Sequence, residues 1–319
     1  QSIATLLMQF SLFGFGAVAL LLGNATGQLA ASLFLGIRTV KECFRIPFSW
    51  KDIREVAIIY RHFPLFSTWA ALLNTAGRQL PPIMFAVLFS NSAAGFYVLA
   101  HRVLATPISV IGSAVANVFF SNAAEAHREN RLGHLVEVVL DKLVHVSLPP
   151  TIALIIVAPD LFSHVFGSEW RLAGQYAQWM APWLCIQFCY SPISTTLVAI
   201  QKQKLDLVLQ GTLFASRVIA ITYGYLYSEL FGTVLLYSLA SALVYLFYLI
   251  IICLSVELSL KKVTNIIMKA LLKAFIICLP LYLVYFENIE LNNYMLTFVS
   301  LIFASIYYFK MYKSIVAAS

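Results

Sequence analysis

The sequence predicts an all-α polytopic membrane protein of nine or ten transmembrane helices, and three observations predict it. Of 319 residues, 61% are hydrophobic and only 11% are charged, where an ordinary soluble domain carries roughly 25% charged residues. Apolar stretches of about 20 residues, each long enough to cross a hydrocarbon core of about 30 Å, recur along the whole chain. The Lys and Arg residues gather in short breaks on alternate sides of those stretches. A bilayer core offers the backbone no water, so helices are the default spanning structure.

The expected spans run over 1–13, 17–37, 63–89, 92–121, 142–166, 172–200, 205–228, 231–254, 265–285 and 293–309. Gly14-Phe15-Gly16 is a weak turn signal, so the first two count as one bent segment or as two. The chain opens at Gln1 inside an apolar stretch, with no basic flank before it. That opening lacks the charged region of a signal peptide and reads as a fragment whose N-terminal helices are absent.

Basic residues test the span list, because Lys and Arg concentrate in cytoplasmic loops. One side receives Arg38, Lys41, Arg45, Lys51, Arg54 and Arg61, and later Arg128, Arg131, Lys142, Lys202 and Lys204. It then receives Lys261, Lys262, Lys269, Lys273, Lys310 and Lys313, whereas the other side receives Arg171 alone. This alternation places the basic side and the C-terminus in the cytoplasm. A formal charge of +7 spread over loops in this way serves membrane orientation, not a nucleic-acid partner.

The longest break, 38–62, contains Trp50-Lys-Asp-Ile-Arg-Glu-Val-Ala-Ile-Ile-Tyr60, apolar and charged at helical spacing. Such a segment suits an amphipathic helix lying on the membrane surface. The segment 125–141, with its mixed charges, reads as a solvated helix extension. Cys43, Cys185, Cys189, Cys253 and Cys278 show no disulfide or metal spacing and read as small packing residues. No His-Glu-x-x-His, Gly-x-Ser-x-Gly, phosphate-loop or paired-aspartate motif occurs, and no long outer loop is present to hold an acceptor. The sequence therefore points away from an enzyme and names no resident cofactor.

Three arginines interrupt the apolar spans: Arg78, Arg102 and Arg217. A charge at the bilayer centre costs at least about 2.5–3.5 kcal/mol on insertion scales, so it faces a bundle interior or a water-filled cavity. At about 1.5 Å per residue, each lies roughly 15–17 Å below the outer boundary of its span. Snorkelling covers only part of that depth, and acids at matching depth are scarce, Asp160 coming nearest. The expectation is a polar cavity whose arginines face an anion. Guanidinium groups suit phosphate because their planar fork donates paired hydrogen bonds and stays charged.

Further polar groups lie at intermediate depth. Asn74 shares a helix face with Arg78, and Gln79 precedes Pro81-Pro82, where backbone carbonyls are freed and the helix bends. His101 adjoins Arg102, with Thr106-Pro107 one turn on; Gln187 and Tyr190 fall in a later span, and Asn24 and Gln28 in the second. Each reads either as a substrate contact or as a hydrogen bond between helices. The pairs Gly23/Gly27 and Gly112/Ala116 suggest close helix packing.

The run Phe166-Gly-Ser-Glu-Trp-Arg-Leu-Ala-Gly174, followed by Ala181-Pro-Trp183 and Ser191-Pro-Ile193, resembles the mid-chain signature of the Wzx-type polysaccharide-export flippases. These belong to the multidrug/oligosaccharidyl-lipid/polysaccharide exporter superfamily. Ala94-Gly-Phe-Tyr97, Ala100-His-Arg102 with Pro107, and the 74–82 stretch fit the same pattern, in family order. The resemblance implies two six-helix bundles. Residues 1–37 would then hold the last two helices of a truncated first bundle and 38–62 a cytoplasmic linker. Residues 63–254 would form the second bundle and 255–319 two additional helices. It also implies alternating access, sodium or proton coupling, and an undecaprenyl-diphosphate-linked O-antigen or capsule unit carried across the bacterial inner membrane. Membrane lipids and other glycan-assembly membrane proteins are the implied partners. The alternatives are a multidrug or cation exporter, which would want mid-membrane carboxylates, and a membrane polymerase.

Overall fold

A computed structural model describes residues 49–59, 61 and 63–286, together with residues 9, 11, 23, 25–30, 32, 33, 36, 37, 39 and 40. The expected spans over 1–13 and 17–37 fall on these scattered positions at most, and the one over 293–309 lies outside the described residues, as do Asn24 and Cys43. The chain divides into residues 1–61 and 62–319.

In the first unit, the amphipathic segment forms helix α1 (Trp50–Ile59). Asp52 accepts a hydrogen bond from the Ser49 backbone N–H at 3.0 Å, and Ser49 Oγ accepts from Lys51 N at 3.3 Å. These contacts satisfy donors at the helix start.

The second unit is a helical bundle entered through a π-turn (Phe63–Ser67). Its helices are α2 (Thr68–Leu88), α3 (Asn91–Arg128), α4 (Leu132–Phe166), α5 (Arg171–Ile193), the short α6 (Thr196–Ala199), α7 (Gln203–Tyr227), α8 (Leu230–Ser255) and α9 (Leu260–Phe286). Among the described residues, five helices are long and apolar enough to cross a membrane: α3, α4, α7, α8 and α9. Five such helices make this a multi-pass membrane protein. Helices α2 and α5 are less apolar, and both supply polar residues to the site.

Two departures from the expected segments have local causes. The segment 125–141 is not one extension: Glu129–Arg131 turns the chain, with Asn130 at φ 54°, and the segment divides between the end of α3 and the start of α4. The span expected over 172–200 stops at Ile193, one residue after Pro192, whose ring nitrogen has no proton for the Phe188 carbonyl. The opposite end of the bundle has shorter connections. Ser90 caps α3 by accepting from Ala93 N at 3.1 Å, and Gly167 (φ 105°) occupies a backbone region where a side chain would be strained. Ser90→Ala should lower the unfolding free energy by about 1 kcal/mol, the usual contribution of an N-cap, measured as a lower thermal midpoint in detergent.

Helix α5 is the centre of the bundle, packing on α3, α4 and α8, while α2 joins α3 to α7 and α9 covers α4. Trp183, Tyr176, Met180, Leu184 and Ile193 of α5 are fully buried. Gly174 permits the close approach of α4: a Cβ there would lie 2.5 Å from the Ala158 carbonyl oxygen and from Pro159 Cα. At the Gly167 end, Asp160 pairs with Arg171 and accepts a hydrogen bond from Tyr285 at 2.5 Å, tying α4, α5 and α9 together. At the Asn130 end, Lys262 pairs with Glu137 at 3.2 Å and Lys273 lies 3.4 Å from His145 Nε2.

Candidate functional site

Helices α2, α3 and α5 line an open cavity of about 1000 Å³. Arg78 and Gln79 enter it from α2, His101 and Arg102 from α3, and Gln187 with Phe188 from α5. Arg78 stands ten residues before the end of α2 and Arg102 eleven after the start of α3. Both are therefore about 15 Å from the short turn that joins those helices.

Among the described residues, neither Arg78 nor Arg102 has an ion pair or a side-chain hydrogen bond, and no Asp or Glu lines the cavity. Two guanidinium groups thus face one space with their donors unused. The hydroxyls beside them are committed to their own helix. Thr106 donates to the Arg102 carbonyl at 2.6 Å, Ser109 to that of Thr106 at 2.8 Å, and Ser113 to that of Val110 at 3.0 Å. Their oxygens keep lone pairs, so charged donation in the cavity falls to the arginines.

An aromatic wall backs the cavity. His101 stacks between Tyr97, 5.9 Å away, and Trp183, 6.0 Å away, and the Tyr97 hydroxyl shares a hydrogen bond of 3.0 Å with that of Tyr237. Behind the wall lies Arg217, only 3% exposed. Its guanidinium packs over Trp183 at 5.2 Å, Tyr237 at 5.5 Å and Tyr245 at 5.6 Å. It donates to Ser241 Oγ at 3.2 Å, to the Gly77 carbonyl at 3.0 Å and to the Tyr245 hydroxyl at 3.4 Å.

Of the residues expected from the sequence, the structure brings Arg78, Gln79, His101, Arg102 and Gln187 together around one cavity. It places three elsewhere. Arg217 is enclosed by aromatic rings, because α8 supplies Tyr237, Ser241 and Tyr245 on the face that α7 turns toward it. Tyr190 is buried against Tyr245 and Tyr248. Asn74 is half-buried one turn from Arg78, outside the lining stripe of Thr75, Arg78, Gln79 and Pro82.

Gly112 and Ala116 line the cavity and do not seal a helix pair; a Cβ at Gly112 would meet only the Phe188 ring at 3.9 Å. They belong to a stripe with Ser109, Ser113 and Asn117 that was readable as residues three or four apart on one helix face. Tyr97 also lines the cavity, and nothing in its local sequence sets it apart from a core tyrosine.

Fold and site together define a multi-pass helical membrane protein with an open cationic cavity lined by three of its helices. The profile of the family described as polysaccharide biosynthesis protein matches residues 2–174. The chain belongs to that family. Its fold is similar to that of a solved structure of the lipid II flippase MurJ in its inward closed conformation, with a TM-score of 0.62 and 16% sequence identity. The match covers 98% of this chain, which spans 66% of the length of that protein. No curated protein matches the sequence.

Proposed function

We propose that the protein is a flippase, not an enzyme, that moves a diphosphate-linked glycan lipid across the bacterial inner membrane by alternating access. The observation that carries this reading is the pair Arg78 and Arg102, unneutralised among the described residues and sharing one open cavity with no acidic residue in its lining. A cation exporter would need the opposite charge there. A diphosphate crossing between leaflets needs fixed donors halfway, and guanidinium forks supply them.

The cavity's neighbour supports a lipid-linked ligand. A second pocket of about 250 Å³, lined almost wholly by apolar groups of α3, α4 and α5, shares Ile108 and Phe188 with the first. A charged head and a carbon chain would find adjoining surroundings. Membership in a polysaccharide biosynthesis family fits such a cargo, as does a fold like that of a lipid II flippase. The glycan in this reading is an O-antigen or capsule repeat unit, carried from the cytoplasmic to the outer leaflet, with the basic loops and the C-terminus in the cytoplasm.

Replacing Arg78 or Arg102 singly by Ala in the full-length protein should reduce outer-leaflet delivery of the glycan about tenfold or more, the loss of one charge-assisted hydrogen bond. Membrane insertion should be unchanged. Delivery at the parental rate by both variants would refute the proposal.

A further inference from the structure

We infer that Arg217 is a positioning residue that replaces the hydrogen bond removed by Pro81 and thereby fixes how Arg78 is presented to the cavity. In an unbroken helix the Gly77 carbonyl would accept from the amide of residue 81. Residue 81 is proline, buried within α2, and has no amide proton. The Gly77 carbonyl would then be a buried acceptor without a partner. Arg217 reaches across from α7 and donates Nη1 to that oxygen at 3.0 Å.

The consequence for Arg78 is covalent. The Gly77 carbonyl and the Arg78 amide belong to one rigid peptide plane, so holding the oxygen holds the orientation of the group that leads into Arg78. The other end of the guanidinium is held by Ser241 and Tyr245 of α8 and by the faces of Trp183 and Tyr237. Among the described residues no carboxylate pairs with Arg217. The contacts suit a planar fork that bonds several acceptors at once and lies flat on aromatic rings, which a lysine does not reproduce.

This role rests on reading the cavity as an anion site, but the test reports geometry and is separate from transport. In the full-length membrane protein, Arg78→Cys is labelled with uncharged methyl methanethiosulfonate. The signal from the protein with Arg78 intact is subtracted to remove the native cysteines. Adding Arg217→Met should slow labelling of position 78 about tenfold, because a buried acceptor that has lost its donor no longer favours the orientation that leaves residue 78 exposed. Adding Pro81→Ala, which restores a backbone N–H opposite the Gly77 carbonyl, should bring the rate back to within about twofold. Pro81→Ala with Arg217 intact should change little, since a carbonyl has two lone pairs.

An unchanged rate in the Arg217→Met variant would overturn the inference. So would a slow rate that Pro81→Ala fails to restore, because a purely electrostatic influence of Arg217 would survive that change. Where Arg217→Met lowers the amount of protein in the membrane, Arg217→Leu, which likewise has no donor, carries the same comparison. If labelling follows the expected pattern while Arg78→Ala and Arg102→Ala still deliver glycan normally, the positioning role stands and the flippase reading falls.

Discussion

The double variant Arg78→Ala/Arg102→Ala should bind a polyprenyl diphosphate about 10²–10⁴ times more weakly than the parent, because two hydrogen bonds to a charged group contribute about 1.5–3 kcal/mol each. Equilibrium binding to the full-length protein in lipid nanodiscs would measure this, with the corresponding polyprenol as the uncharged comparison. Binding of the polyprenol should change by less than about twofold, since neither arginine makes its main contact with a carbon chain. The double lysine variant should fall between, because ammonium keeps the charge and loses the planar fork. An equal loss toward diphosphate and alcohol would mean that the cavity had collapsed. Unchanged diphosphate binding would exclude the arginine pair as the anion site.

The second large effect is structural and lies away from the cavity. Gly174→Ala should destabilise the protein by about 3 kcal/mol, at the upper end of the usual range for overpacking. The added methyl would meet backbone, the Ala158 carbonyl oxygen and Pro159 Cα at 2.5 Å, and not a side chain that could turn aside. Helices α4 and α5 form the most extensive pairing in the bundle, so the strain falls where the fold depends most on contact. Thermal midpoints after extraction would show it. Gly95→Ala is the matched control: no atom lies within 4 Å of a Cβ there, and a helical Ala in place of Gly should be neutral or slightly stabilising. Similar midpoints for the two variants would contradict the packing argument.

What the sequence disclosed divides along a physical line. Depth along a helix follows from counting residues, so Arg78, Arg102 and Arg217 were all legible as charges far from either membrane boundary. Direction around a helix depends on which neighbours the helix acquires. Arg78 and Arg102 line one open cavity together with Gln187 and Phe188 of α5. Arg217 carries the same local signal but turns toward Trp183 of α5 and Tyr237, Ser241 and Tyr245 of α8. No pattern within α7 announces those partners. His101, Gln79 and Gln187 were legible as polar residues in apolar spans, whereas Tyr190 gave the same impression and is core.

Glycine shows the same asymmetry. Gly112 and Ala116 have the spacing of a packing motif and line a cavity, while Gly174, with no such spacing, sits where a Cβ would strike the backbone of α4. The phrase from Phe166 to Gly174 also has separable causes: Gly167 for its left-handed backbone, Arg171 for its pairing with Asp160, and Gly174 for helix approach. A recognisable string of letters thus holds three independent constraints.

The connections at the Gly167 end have a mechanical corollary. Phe89 and Ser90 join α2 to α3, residues 167–170 join α4 to α5, and Ser228 and Glu229 join α7 to α8. Tethers this short keep the two helices of each couple side by side at this end. The two arginines sit on one couple and Gln187 and Phe188 on another, so any displacement between these couples would change the width of the space they share without unwinding a helix.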